Sequence, residues 1–180
     1  MPSIRLRLLV CIPLALWALV GRARADDNAG VALLFAKNPG ALSAAERQEI
    51  YKKLGLKVGE DGRSLVDESC GQEVSSEVEI KDLDGDGVDE VLITYGNTCM
   101  SGMAGSSVIL FIRDQSGHYR SELGFPGVIA ETRPPKGGTG YPDFVIGGPG
   151  FCFPVWHWNG KAYVHLRDEA QEKGGCAKQK

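Results

Sequence analysis

The sequence has 180 residues, 43% of them hydrophobic, which is enough for one domain with a substantial core. The first 25 residues carry four of the 20 Lys and Arg and none of the 23 Asp and Glu, so the remainder has a net charge of −7. This charge argues against nucleic acid or an anionic membrane surface as a partner, and it leaves metal ions and basic or neutral partners open.

Residues 1–25 have the pattern of a secretory signal peptide. Arg5 and Arg7 give a basic start, residues 8–20 form an apolar run too short to span a membrane, and residues 23–25 form a small-x-small cleavage site. We expect cleavage after Ala25 and no membrane insertion of the mature chain. The protein is then a monomer in the bacterial periplasm or outside the cell.

Residues 26–56 are predicted to be helical. A first helix ends before Pro39, because the residue preceding a proline avoids helical dihedrals. A second helix begins at Ser43, which has capping-box spacing to Glu46. Gly55 can adopt the left-handed conformation that closes this helix.

A first β-unit is predicted over residues 77–123. Its first strand has the alternating sequence EVEIK, and the next two have the continuous apolar and β-branched sequences EVLITY and SVILFIR. DQSG then connects the last of these to HYRSEL as a hairpin. The unit is therefore expected to be antiparallel.

Acidic residues crowd the connection between the first two strands, which has the sequence DLDGDGVDE over residues 82–90. If the first residue is position one, carboxylates occupy positions one, three, five and nine, namely Asp82, Asp84, Asp86 and Glu90. Val88 at position seven can offer its backbone carbonyl, and calcium takes about six to eight such oxygens. A divalent ion would cancel the repulsion among the carboxylates. The sequence therefore predicts a Ca²⁺ site, and the alternative is a metal-free Asp/Gly turn.

This acidic loop is not an EF-hand, because position twelve is Ile93 and the flanking segments are predicted strands. Over residues 77–113 it resembles the calcium loop of FG-GAP/VCBS-type repeats, and the rest of the chain resembles small exported bacterial proteins of unassigned role. The resemblance implies a loop between two strands of a β-propeller-like blade, stiffened by its ion. It also implies that the ligands are Asp82, Asp84, Asp86, the Val88 carbonyl and Glu90, and that Asp89 either points away from the ion or supports the ligands without contacting the ion.

A second β-unit, residues 140–166, repeats the first at an offset of 53 residues. GYPDFVIGG corresponds to GVDEVLITYG, and Asp143 is the one acidic counterpart, matching Glu90. We therefore expect a single ion and no closed propeller. In the final hairpin, Asn159-Gly160 predicts a two-residue turn that pairs Trp158 with Lys161. The predicted fold is α+β, with N-terminal helices packed on antiparallel β-meanders that form two propeller-blade-like units in a single domain, residues 26–180.

The aromatic stretch FCFPVWHW, residues 151–158, belongs to the first strand of that hairpin. Strand alternation places Phe153, Val155 and His157 on one face and both tryptophans of this stretch on the other. We favour core packing for the tryptophans. An exposed tryptophan face would instead be a contact patch for sugar or protein.

Four cysteines remain after the predicted cleavage, which removes Cys11, and an even count in an exported chain favours two disulfides. The sequence leaves three pairings open. We favour Cys70–Cys99 and Cys152–Cys176, because each closes a short loop. A four-cysteine zinc site is the rival interpretation, but it lacks C-x-x-C spacing.

The functional hypothesis is a non-enzymatic, calcium-binding protein that interacts with an unknown protein or glycan. One alternative is a hydrolase of cell-envelope glycan or peptidoglycan, which needs an ordered acid or histidine site in a cleft, for example at Asp143 or His157. Another is a small inhibitor or accessory protein that docks through a loop at residues 97–107.

Overall fold

The structure is a computed structural model that describes residues 26–135, 138 and 140–177. The predicted signal peptide and its cleavage site lie outside these residues. These residues form three helices: α1 at residues 26–34, α2 at Ala44–Lys52 and the short α3 at Thr98–Ser101, which continues as a 3₁₀ turn at Gly102–Ala104. In the described part of the chain, no helix combines the length and the apolar character that crossing a membrane requires.

The two longer helices follow the sequence signals. α1 ends before Pro39, as predicted. The capping box of α2 is formed in full, because the Ser43 hydroxyl accepts from the Glu46 N–H and the Glu46 carboxylate accepts from the Ser43 N–H. Gly55 adopts the expected left-handed conformation, with φ of 65°.

The described part of the chain contains ten strands, several of them longer than predicted. They are β1 Leu56–Val58, β2 Leu65–Asp67, β3 Glu73–Lys81, β4 Glu90–Gly96, β5 Ser107–Arg113, β6 Tyr119–Pro126, β7 Val128–Arg133, β8 Asp143–Gly147, β9 Cys152–Trp158 and β10 Tyr163–Ala170.

The described strands form two antiparallel sheets, and within each sheet every strand pairs with the strands next to it in sequence, whereas β6 and β7 lie in different sheets and do not pair. Sheet 1 has the order β1-β2-β3-β4-β5-β6, and sheet 2 has the order β10-β9-β8-β7. Both sheets are therefore meanders, as predicted. The fold is mixed helix and sheet, with few helices and mostly antiparallel strands.

The core has two parts, one on each face of sheet 1. On one face, α1 and α2 cover Val91, Ile93 and Phe111. On the other face, β5 and β6 pack against sheet 2, where Val108 and Leu110 are in one cluster with Phe144. The molecule is thus layered as helices, sheet 1 and sheet 2. Trp156 and Trp158 pack against this second cluster, which supports the core interpretation of the tryptophan face.

Both of the favoured cysteine pairs, Cys70–Cys99 and Cys152–Cys176, form disulfides. The first joins the turn after β2 to α3, and the second joins the start of β9 to the C-terminal segment. Two disulfides indicate an oxidising compartment.

The predicted register of the last hairpin is wrong. Trp158 pairs with Tyr163 and not with Lys161, so the connection has four residues instead of two. The side chain of Asn159 explains the wider loop, because its amide oxygen accepts from the backbone N–H of Lys161 at 2.9 Å and of Ala162 at 3.0 Å.

Candidate metal centre

The acidic loop, residues 82–90, connects β3 to β4 at one end of sheet 1. Its turn is organised by Asp82, whose two carboxylate oxygens accept from the N–H groups of Gly85 at 2.7 Å and Gly87 at 2.9 Å. Both glycines have positive φ, 83° and 86°, which other residues adopt at a cost. The glycines therefore let the backbone fold back toward the first aspartate.

The next two aspartates continue the same pattern of short-range hydrogen bonds. Asp84 accepts from the Asp86 N–H at 3.1 Å, and Asp86 accepts from the Val88 N–H at 2.7 Å. As a result, Asp82, Asp84 and Asp86 each place one carboxylate oxygen within 4.8 Å of the others. Carboxylate oxygens are the ligands that hard divalent cations prefer.

The electrostatic cost of this cluster is visible at Asp84. Burial raises the pKa of Asp84, and the nearby charges of Asp86 and Asp82 raise it further, although the Asp86 N–H hydrogen bond opposes them. A raised pKa means that the ionised carboxylate is disfavoured here. A bound cation would reverse that preference by supplying opposite charge.

Glu90 occupies a different position from the three aspartates. It is the first residue of β4 and only 2% exposed. One of its oxygens accepts from the Leu83 N–H at 2.7 Å, and the other accepts from the Tyr141 hydroxyl at 3.0 Å. Burial raises the pKa of Glu90 to about 7, even though both hydrogen bonds lower it. Its carboxylate thus lies beneath the loop and links it to the segment that precedes β8.

The two remaining residues of the predicted site differ in exposure. Val88 is half-buried and donates its N–H to Asp86. Asp89 is exposed, and its backbone carbonyl accepts from the Tyr119 hydroxyl at 2.9 Å.

Asp143, the counterpart of Glu90 in the repeat, is paired with a histidine that the sequence analysis did not connect to it. Its carboxylate lies 2.6 Å from Nδ1 of His157, on the neighbouring strand β9. His157 and His165 lie on opposite faces of sheet 2, because Val164, the neighbour of His165 in β10, is the residue opposite His157. These two histidines therefore cannot ligate the same metal ion.

The 97–107 loop is held at both ends. Asn97 accepts from the N–H groups of Cys99 and Met100, each at 3.0 Å, and Cys99 is tied by its disulfide. The Ser101 and Ser107 hydroxyls are 2.7 Å apart.

The chain matches no family model, no curated protein and no solved structure.

Proposed function

We propose that the protein is an exported, non-enzymatic calcium-binding protein in which Ca²⁺ orders the acidic loop. The observation that carries this proposal is the convergence of three carboxylates, from Asp82, Asp84 and Asp86, within 4.8 Å. Two of these side chains are half-buried, which makes their mutual repulsion harder for water to screen.

In this proposal the three aspartates supply the carboxylate ligands. Glu90 lies outside the group of three, so ligation by Glu90 and by the Val88 carbonyl is implied by the family resemblance alone. Water can complete the coordination shell, as it does in many calcium sites. The two meanders are interpreted, on the same resemblance, as propeller-blade-like units.

Calcium is preferred over magnesium because calcium accepts a variable number and arrangement of carboxylate and carbonyl oxygens, whereas magnesium demands a near-ideal octahedron. Calcium sites of extracellular modules are weak, with dissociation constants of about 10⁻⁴ to 10⁻³ M, so a site of modest affinity suffices in an exported protein. The proposed location is the periplasm or the cell exterior, in keeping with the two disulfides.

The proposal is tested by calorimetric titration of residues 26–180 with calcium and with magnesium. We expect about one equivalent of calcium to bind, and Asp84→Asn combined with Asp86→Asn to abolish binding. Calcium at about one hundred times its dissociation constant should add about 2.7 kcal/mol to the free energy of unfolding. The melting temperature should rise accordingly in the parent protein and not in the double variant.

Asp89→Asn is the matched control, because Asp89 is exposed and contributes only its backbone carbonyl to a described hydrogen bond. It removes a charge from the same loop and should leave calcium binding within about threefold, as expected for an exposed charge. The double variant removes two charges and the control removes one, so a control that loses half or more of the double variant's loss in binding free energy would mean that calcium responds only to net charge. Absence of calcium binding by the parent protein would leave the loop as a hydrogen-bonded turn.

A second candidate function, docking as an inhibitor or accessory protein, is favoured by Met103. This side chain is 90% exposed on the 97–107 loop, which the Cys70–Cys99 disulfide and the Asn97 cap hold in place. A preorganised loop that presents a methionine suits a protein contact. Hydrogen exchange should show protected amides at Cys99 and Met100 in the free protein. Exchange there at the rate of an unfolded peptide would remove this candidate.

A further inference from the structure

Sheet 2 packs on β5 and β6 and leaves the neighbouring part of sheet 1, at β3 and β4, uncovered. A groove of about 560 Å³ lies there. It runs between β7, which is an edge strand of sheet 2, and the exposed side of β3 and β4. The residues that matter in it are Glu77, Glu79, Leu92, Thr94, Val128 and Ile129. The groove thus has the position that one further strand of sheet 2 would fill.

The edge of β7 along this groove is open. Among the described residues, β7 pairs only with β8. The groove is lined by residues of β7 but by none of β8. The groove therefore runs along the edge of β7 that pairs with no other strand. An unpaired strand edge presents free N–H and C=O groups that another extended chain can pair with.

The neighbouring edge of β3 is protected by comparison. Only Glu73 and Val74 of β3 pair with β2, but the Asn38 side chain donates to the Val78 carbonyl at 2.9 Å. A side-chain amide thus occupies the middle of that edge. In the described part of the chain, no side chain hydrogen-bonds to the backbone of β7 in this way. An added strand would therefore pair with β7 and not with β3.

The charge of the groove indicates what the strand would contain. Glu77 and Glu79 are both exposed on the same face of β3, and neither takes part in an ion pair within the described residues. Side chains two residues apart on an extended strand are about 6 to 7 Å apart on one face, so basic residues at alternate positions of an added strand can match the two glutamates.

We infer that this groove binds an extended, basic segment of a partner protein, which adds to β7 as a fifth strand of sheet 2. Lysine or arginine at alternate positions would face Glu77 and Glu79, and apolar contact would come from Leu92 and Val128. This inference goes beyond calcium binding and does not depend on it.

A second copy of the chain is a poor occupant of the same groove. Residues 26–180 carry a net charge of −7, so two copies repel each other. Two of the carboxylates in this count, from Glu77 and Glu79, lie in the groove and form no ion pair with a described basic residue. Charge complementarity thus favours a different, basic partner.

The test uses a labelled, end-capped heptapeptide that alternates lysine with valine, with fluorescence anisotropy as the readout of affinity. The parent protein should bind it, and Glu77→Gln combined with Glu79→Gln should weaken binding by about tenfold or more, as for paired charges at an interface. Hydrogen exchange should slow at the β7 amides, residues 128–133, when the peptide is bound. Results should be the same with calcium and with chelator, which separates this inference from the proposed function.

Two controls separate strand addition from attraction by net charge. Glu60→Gln combined with Glu172→Gln removes the same charge from exposed positions outside the groove and should change affinity less than about twofold. The same peptide with N-methylated backbone amides keeps its charge but cannot pair with a strand, and should lose binding.

Four results would overturn the inference: no binding of the lysine peptide, equal loss in the control variant, equal binding of the N-methylated peptide, or unchanged exchange at β7. Sedimentation of the protein as a dimer that Glu77→Gln with Glu79→Gln converts to a monomer would also overturn it, in favour of self-association. Unchanged thermal melting of both variants confirms that the substitutions leave the fold intact.

Discussion

Tyr141 is the residue that joins the acidic loop to the second sheet. Its hydroxyl donates to the buried Glu90, while its ring packs edge-on against Trp158, with the ring centroids 4.8 Å apart. Tyr141→Phe keeps the ring and removes the donor. Above pH 8, where Glu90 with its pKa of about 7 is mostly ionised, we expect a loss of about 1.5 to 3 kcal/mol in the free energy of unfolding, the usual range for a hydrogen bond to a charged group.

Urea denaturation measures this loss, and Tyr95→Phe serves as its control. Tyr95 is also half-buried on sheet 1, but no hydrogen bond of its hydroxyl to another described residue is present. The control should change stability by less than about 0.5 kcal/mol. Equal losses in the two variants would show that the Glu90 hydrogen bond contributes nothing specific.

Glu169 makes stability depend on pH in the acid range. Hydrogen bonds from Arg133 and Arg167 lower the pKa of Glu169 from its usual 4.5 to about 2. Because the folded pKa is the lower one, the stabilisation is fully present above pH 4.5 and is lost as the pH falls toward 2. Glu169→Gln should flatten the fall in melting temperature across this window, and an unchanged slope would contradict the assignment.

Sequence spacing located the acidic residues but not all of the groups that contact them. The regular spacing of Asp82, Asp84 and Asp86 was enough to predict that their carboxylates converge. The side-chain donor to Glu90 is Tyr141, which is 51 residues away. Such a contact depends on how the two sheets pack, and no local pattern encodes it.

Gly127 lies in the connection between sheet 1 and sheet 2, where there is no room for a side chain. It lies between β6 and β7 with φ of 136°, and a Cβ there would come within 2.5 Å of the Gly147 carbonyl oxygen. Gly127→Ala should therefore destabilise the protein by about 2 kcal/mol or more, through both strain and steric overlap.

Gly148→Ala is the control for this substitution, because a Cβ at Gly148 meets no atom within 4 Å. Its effect should stay within about 0.5 kcal/mol. Denaturant midpoints of the two variants measure the difference. If the Gly127→Ala protein is as stable as the Gly148→Ala protein, the connection between β6 and β7 can shift to accept a side chain. The close contact at Gly127 would then contribute nothing to stability.

The elements that the sequence missed share a physical reason. β1 and β2 have three residues each, too few for a periodic pattern to be recognised. β7 has mostly exposed residues and a bulge between Ile129 and Glu131, which breaks its alternation. Strands with a strong apolar run, such as β4 and β5, were predicted because burial on both faces leaves a clear signal.

At the scale of the whole molecule, the disulfides tie peripheral segments to the sheets. Cys70–Cys99 closes a sequence separation of 29 residues, so its loss should cost about 3 to 4 kcal/mol if it acts by restricting the unfolded chain. Cys70→Ser combined with Cys99→Ser should lower the melting temperature, as measured by calorimetry. A variant that melts at the parent temperature would show that the link is dispensable.

The layered arrangement itself was beyond the sequence. The repeat between β4 and β8 predicted two similar units, and both units are meanders. However, which faces of the two sheets meet is set by matching side chains such as Leu110 and Phe144, which lie in different units. Periodicity identifies a buried face but does not name its partner.

The consecutive strand order has a consequence for how the protein folds. Because, within each sheet, every strand after the first pairs with the one made just before it, neither sheet needs a distant segment to begin pairing. Contacts that are local in sequence favour rapid folding, and domains emerging amino-terminus first can fold as they appear. Sheet 1 can therefore complete its strand pairs before β7 is available. Docking of sheet 2 onto the exposed face of β5 and β6 would then be the late step.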